Sequence, residues 1–146
     1  MTADEIRTEI DRVCRRDWDV ELAPLLEHLR QFDSIATFHA LFQFAAHSQV
    51  TGPAAPAALL LWRLNPLCPL SCRQAVEEML TDWDVSIEEV PFYLAEQFGV
   101  AQVRTTVSEL RSSHTGKNEI TLLGTIEYWL RCYDEMQEYR RQHGTA

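Results

Sequence analysis

Apolar positions recur every three or four residues along nearly the whole chain, which is the helical period. Thr2-Ala3-Asp4-Glu5 has capping-box spacing, and Ile6, Ile10 and Val13 then share one face of a short first helix. Asp19 is placed to cap a second helix, whose stripe is Leu22, Leu25, Leu26, Leu29 and Phe32. Ser34 is the expected cap of a third, carried by Ile35, Phe38, Leu41, Phe42 and Ala45 towards a stop at Gly52 and Pro53. A fourth, roughly Pro56 to Leu64, is apolar almost all round and is expected to be the most buried element. Asn65 to Leu70 (NPLCPL) reads as an extended connector, because each proline disfavours helix at itself and at the residue before it.

Ser71-Cys72-Arg73-Gln74 is a second capping box, opening a helix through Val76, Met79 and Leu80. Asp82-Trp83-Asp84 is expected to turn, Val85 to Phe98 to be helical, and Gly99 to end that helix. Val100, Val103, Val107 and Leu110 form the next stripe; valine and threonine are frequent there, but the spacing is three and four, not the two of a strand. After a polar break at Ser112 to Asn118, Ile120, Leu123, Ile126, Leu130, Tyr133 and Met136 mark the last and longest helix. The pattern predicts an all-α fold of about eight helices.

The chain also repeats itself. Asp17-Trp18-Asp19-Val20 recurs as Asp82-Trp83-Asp84-Val85, 65 residues on, and each copy is followed by a helix containing a proline, Pro24 or Pro91. Gln74 to Val85, followed by Glu88 to Gly99, resembles a HEAT repeat: an amphipathic helix, an acidic turn with aspartate then valine, and a second helix closing on Leu94-Ala95 and Phe98-Gly99. Ser86 stands where that family usually has arginine, and the N-terminal copy has Asp33 in place of the final glycine. The resemblance implies a short solenoid of stacked antiparallel helix pairs in one domain, with copies at approximately 11–70 and 74–140. It also implies a protein-binding scaffold without a shared cofactor or shared catalytic residues.

Composition narrows the classes of function. The 146 residues suffice for one core, and 46% hydrophobic against 24% charged residues is an ordinary globular balance. With 22 acidic and 13 basic residues the net charge is -9, which disfavours nucleic acid and anionic membrane as partners. The N-terminal residues lack the pattern of a signal peptide, so a cytoplasmic location is expected. Charge is uneven: residues 34–76 hold no acid, whereas 77–98 hold Glu77, Glu78, Asp82, Asp84, Glu88, Glu89 and Glu96 with no base.

That run carries the leading expectation, a protein-binding adaptor or inhibitor docking a basic partner through Glu77, Glu78, Asp82, Trp83, Asp84, Glu88 and Glu89. Its bland alternative is a solvated face, with Glu88 and Glu89 at a helix dipole. Trp83, like Trp18, is either a binding anchor or a lid over the core, and the repeat favours the lid. A second reading places a small-molecule or enzymatic pocket among helices 34–64, lined by His39, His47, Arg63 and Trp62 with Phe38, Phe42 and Phe44. A third buries the apolar helix 56–64 against a second copy as a homodimer. Cys68 and Cys72 are separated by three residues, not two, and Cys72 at a helix start invites a lowered thiol pKa. No metal spacing, phosphate loop or nucleophile elbow is present, so no cofactor and no enzymatic activity is expected.

Overall fold

A computed structural model describes residues 2–14, 18–47 and 54–144. Eight helices make up its regular structure: α1 (Ala3–Cys14), α2 (Trp18–Leu29), α3 (Ser34–Ala45), α4 (Ala54–Leu64), α5 (Cys72–Met79), α6 (Glu89–Phe98), α7 (Val100–Ser113) and α8 (Lys117–His143). The all-α expectation holds; among the described residues there is no strand. None of these helices is long and apolar enough to cross a membrane.

The caps explain the boundaries. Thr2 Oγ1 accepts from Glu5 N at 3.2 Å at the head of α1. At α5 the capping box is complete, with Ser71 Oγ accepting from Gln74 N at 3.1 Å and Gln74 Oε1 accepting from Ser71 N at 3.0 Å. The cap of α3 is Asp33, whose Oδ2 accepts from Ala36 N at 2.9 Å, and not Ser34 as its spacing suggests. Ser34 Oγ is committed elsewhere, accepting from Leu67 N at 2.7 Å.

The largest departure is at α6, which begins at Glu89 and not at Val85. Asp84 Oδ1 accepts from both the backbone N–H (3.0 Å) and the hydroxyl (2.7 Å) of Ser86, and Ile87 N donates to Asp84 O at 3.0 Å. An aspartate that closes a turn in this way takes the backbone groups a helix would need. The two tetrapeptides consequently differ in local structure: Trp18 to Val20 are helical, whereas Asp82 to Val85 lie between helices. The side chains of Trp18 and Asp19 and all of Asp17 fall outside the described residues.

The even-numbered helices pack in an unbroken series, α2 on α4, α4 on α6 and α6 on α8, while the odd-numbered ones pack as two groups, α1 on α3 and α5 on α7. Contacts of α1 with α2, α3 with α4 and α7 with α8 join the two series into two layers. Between them lies an aromatic core. Phe38 stacks on Phe42 (centroids 4.9 Å apart), and Phe92 lies 5.3 Å from Trp62 and 5.6 Å from Tyr133. Pro56, Ala57, Ala58, Leu60 and Leu61 of α4, which packs on α3 and α6, are buried within the chain, while Leu59, Trp62 and Leu64 are partly buried. Gly99 joins α6 directly to α7 at φ 84°, a conformation that favours glycine.

The connector 65–70 is held by side chains from outside it. Asn65 adopts φ 50°, a left-handed conformation that asparagine tolerates. Gln97 of α6 clamps it twice, its Nε2 donating to Asn65 Oδ1 at 2.7 Å and its Oε1 accepting from Cys68 N at 2.9 Å. The Tyr93 hydroxyl donates to Pro66 O at 2.6 Å inside the core. Burial, with the Cys68 thiol beside it, raises the Tyr93 hydroxyl far above its ordinary pKa and keeps it protonated as that donor. Tyr93→Phe strands a buried carbonyl, so it should destabilise the fold by about 1–3 kcal/mol, read as a lower urea midpoint with an unchanged slope.

Candidate functional site

Two groups of candidate residues can be followed into the structure, one on α5 and the turn behind it, the other on α3. The acidic group is not a uniform face. Glu77 pairs with Arg73 one turn earlier at 3.3 Å. Glu78 and Asp82 both turn to His47 just beyond α3, which meets Asp82 Oδ1 through Nδ1 at 2.7 Å and Glu78 Oε2 through Nε2 at 3.2 Å. Asp84 serves its own turn. Trp83 is 3% exposed and donates from Nε1 to Ile87 O at 3.2 Å; it lids the core and offers no surface to a partner.

Glu88 and Glu89 open α6, where the helix dipole favours them. The half-buried Glu89 carboxyl is nevertheless raised above its ordinary pKa, first by burial and then by repulsion from Glu88, with its own backbone N–H offsetting part of this. Beside this turn the structure adds two aromatic residues that the sequence pattern does not single out. Trp129 of α8 donates from Nε1 to Val85 O at 2.8 Å, and Tyr128, 50% exposed, meets it edge-on with centroids 5.0 Å apart. Val85 is also exposed. Trp129 is invisible as a site residue in the sequence because it is one apolar position of a long helix, and only tertiary packing brings it to the turn.

The second group lines a cleft of about 500 Å³ bounded by α1, α3 and α5. His39 and His47 are in its wall with Phe38, Phe42 and Gln43, joined by Arg7 from α1, Leu70 from the connector and Glu78 from α5. Trp62 and Arg63 are not part of it: Trp62 packs on Phe92 of α6, and Arg63 is exposed at the end of α4. Gln43 is one turn from His39, so the helical period places it there; Arg7 arrives only through the packing of α1 on α3. Glu78 and His47 thus belong to both groups and tie them together.

Neither cysteine of the CPLSC stretch is activated. Cys72 occupies the first position of α5 as expected, yet burial raises its thiol pKa, and burial does the same for Cys68. At Cys72 the desolvation of a buried thiolate outweighs the hydrogen bond with Thr106 that acts in the other direction. Among the described residues no group of three or more His, Cys, Asp or Glu is arranged to hold a metal ion. Compared with known protein families, curated proteins and solved structures, the chain matches none.

The raised Glu89 pKa has a definite sign. A carboxyl that is harder to ionise folded than unfolded subtracts from stability as pH rises through and above the ordinary glutamate value, and subtracts nothing when both states are protonated. Glu89→Gln should therefore raise the urea midpoint at neutral pH, with the gain over wild type closing as pH falls below about 4.3.

Proposed function

We propose that the chain is a HEAT-like, two-layer helical-repeat module that binds a protein with a basic surface, docked over α5, the turn at 80–88 and the neighbouring part of α8. The observation that carries the reading is the juxtaposition of an acidic turn with solvent-facing aromatics. Asp84 is exposed and Glu88 partly so, and the same turn holds the exposed Val85, on whose carbonyl the half-buried Trp129 is bonded with the exposed Tyr128 against it. Acid around an aromatic anchor suits an arginine-bearing partner, because the guanidinium pairs with carboxylates at its edge and stacks on rings through its face. The chain contains a small instance of this chemistry, with Arg131 lying 6.0 Å from the Tyr128 ring centre.

The alternation of odd and even helices between two layers supports the repeat part of the proposal, since stacked helix pairs place alternate helices on opposite faces. An inhibitor or adaptor acts by occupying a surface, and for such a role the chain needs neither cofactor nor catalytic group. A cytoplasmic location fits this reading.

Charge reversal tests it. Proteins captured from the source cell's lysate by the wild type are compared with those captured by the Glu77→Lys/Glu88→Lys variant, at low and at high salt. The expected partner is basic, leaves the wild type at high salt, and binds the variant roughly tenfold more weakly with a flatter salt dependence. Capture of the same proteins with the same affinity by both chains overturns the proposal.

A further inference from the structure

Helices α7 and α8 run antiparallel and are joined by two exposed ion pairs. Arg104 Nη2 donates to Asp134 Oδ2 at 2.8 Å, and Arg111 Nη1 donates to Glu127 Oε2 at 2.7 Å. On each helix the two partners are seven residues apart, two turns or about 10 Å, so the pairs form the outer rungs of a ladder. Arg131 stands between them, four residues after Glu127 and three before Asp134, and Ser108 stands between Arg104 and Arg111 on the other helix. The middle rung has a base and a hydroxyl but no acid. We propose that this groove binds a small phosphomonoester, whose phosphoryl group completes the rung on Arg131, Ser108 and Arg104.

The donors are accessible. Arg104, Ser108 and Arg131 are all exposed, and all three line a groove of about 470 Å³ between the helices, within the range of small-molecule sites, roughly 300–1,000 Å³. Among the described residues Arg131 pairs with no carboxylate, Glu135 one turn on included; its guanidinium has only the Tyr128 ring, 6.0 Å away at its centre. Arg104 engages Asp134 through Nη2, which leaves it further N–H donors for a ligand.

The charge and the geometry favour a phosphoryl group. Three guanidinium groups, those of Arg104, Arg111 and Arg131, meet only two carboxylates in the ladder, so the groove is locally positive in a chain of net charge -9. Donors from both helices suit a tetrahedral dianion with three free oxygens better than a planar carboxylate, which one guanidinium fork satisfies.

Gly124 gives the organic part of the ligand its room. It lines the same groove one turn before Glu127, in the interior of α8, where glycine weakens a helix. Packing does not demand it, since a methyl group there would meet no atom within 4 Å. The missing side chain keeps that end of the groove open. The site uses no residue of the acidic turn, so it stands or falls separately from partner docking.

The test uses the full chain at neutral pH and constant ionic strength, with inorganic phosphate and glycerol 2-phosphate as probes and acetate as the planar, singly charged control. Binding is followed by NMR at the Nε–H groups of Arg104 and Arg131 and the backbone amide of Ser108. The expected result is saturable shifts with phosphate, with a Kd of about 1 mM, and acetate at least about tenfold weaker. The ester should bind no more weakly than inorganic phosphate, and Gly124→Leu should weaken the ester alone. Arg131→Gln should weaken both phosphates about tenfold. Ser108→Glu supplies the missing acid from the chain itself and should abolish their shifts. Absence of saturable shifts with phosphate, equal binding of acetate, or undiminished phosphate binding by folded Ser108→Glu overturns the proposal. Should Gly124→Leu fail to fold, the phosphate, ester and acetate comparison on the wild type still decides the matter.

Discussion

The organisation of the molecule depends on how a proline-interrupted backbone is satisfied where it passes between the two halves of the chain. Residues 65–70 have no helix of their own to pair with, and unpaired buried backbone groups are expensive. Three side chains supply what is missing: Tyr93 and Gln97, one turn apart on α6, and Ser34 at the start of α3. The same bonds fix where α5 begins relative to α3 and α6. Because α4 ends at Leu64 and α5 begins at Cys72, this clamp sets the relation of the first four helices to the last four, and the cleft between α3 and α5 is a result of it.

The helices were legible in the sequence because helical period, capping boxes and the terminating Gly99 are local signals. Of the two departures, one has a long-range cause and the other a local one. Ser34 and Asp33 are adjacent and equally able to cap; what separates them is the long-range bond from Leu67, to which no local rule has access. At Val85 the apolar period continues, but Asp84 folds back on Ser86 and delays α6 to Glu89. Trp83, the more eye-catching half of the acidic motif, is part of the core, and the repeated tetrapeptide therefore says more about packing than about recognition.

The candidate sites were legible only in part, and for a consistent reason. Residues contributed by one helix, such as Phe38, His39 and Phe42, share a face that the period reveals. Residues contributed by a second helix do not: Arg7 comes from α1 and Trp129 from α8, and each reaches its place through contacts far apart in the chain. His47 shows the same limit from the other side. A pattern that treats it as one of several half-buried histidines contains nothing to indicate that two carboxylates from the α5 region converge on its ring.

The last helix is nearly twice as long as α7, one of the two helices it packs on. At 1.5 Å per residue the 27 residues of α8 span about 40 Å, whereas the 14 of α7 span about 21 Å. Tyr133 is its last buried residue, Asp134 still pairs with Arg104 of α7 and Met136 still packs against the core, and beyond these the turns are steadied by neighbours along the same helix, such as Glu138 with Arg141. The overhang makes α8 a lever whose stability is graded along its length: amide exchange should be slowest at the turns around Leu123 to Leu130 and fastest near His143. Unwinding can therefore begin at the free end and stop at Met136, leaving the two layers undisturbed, so a load or label attached there is felt by the overhang and not by the fold.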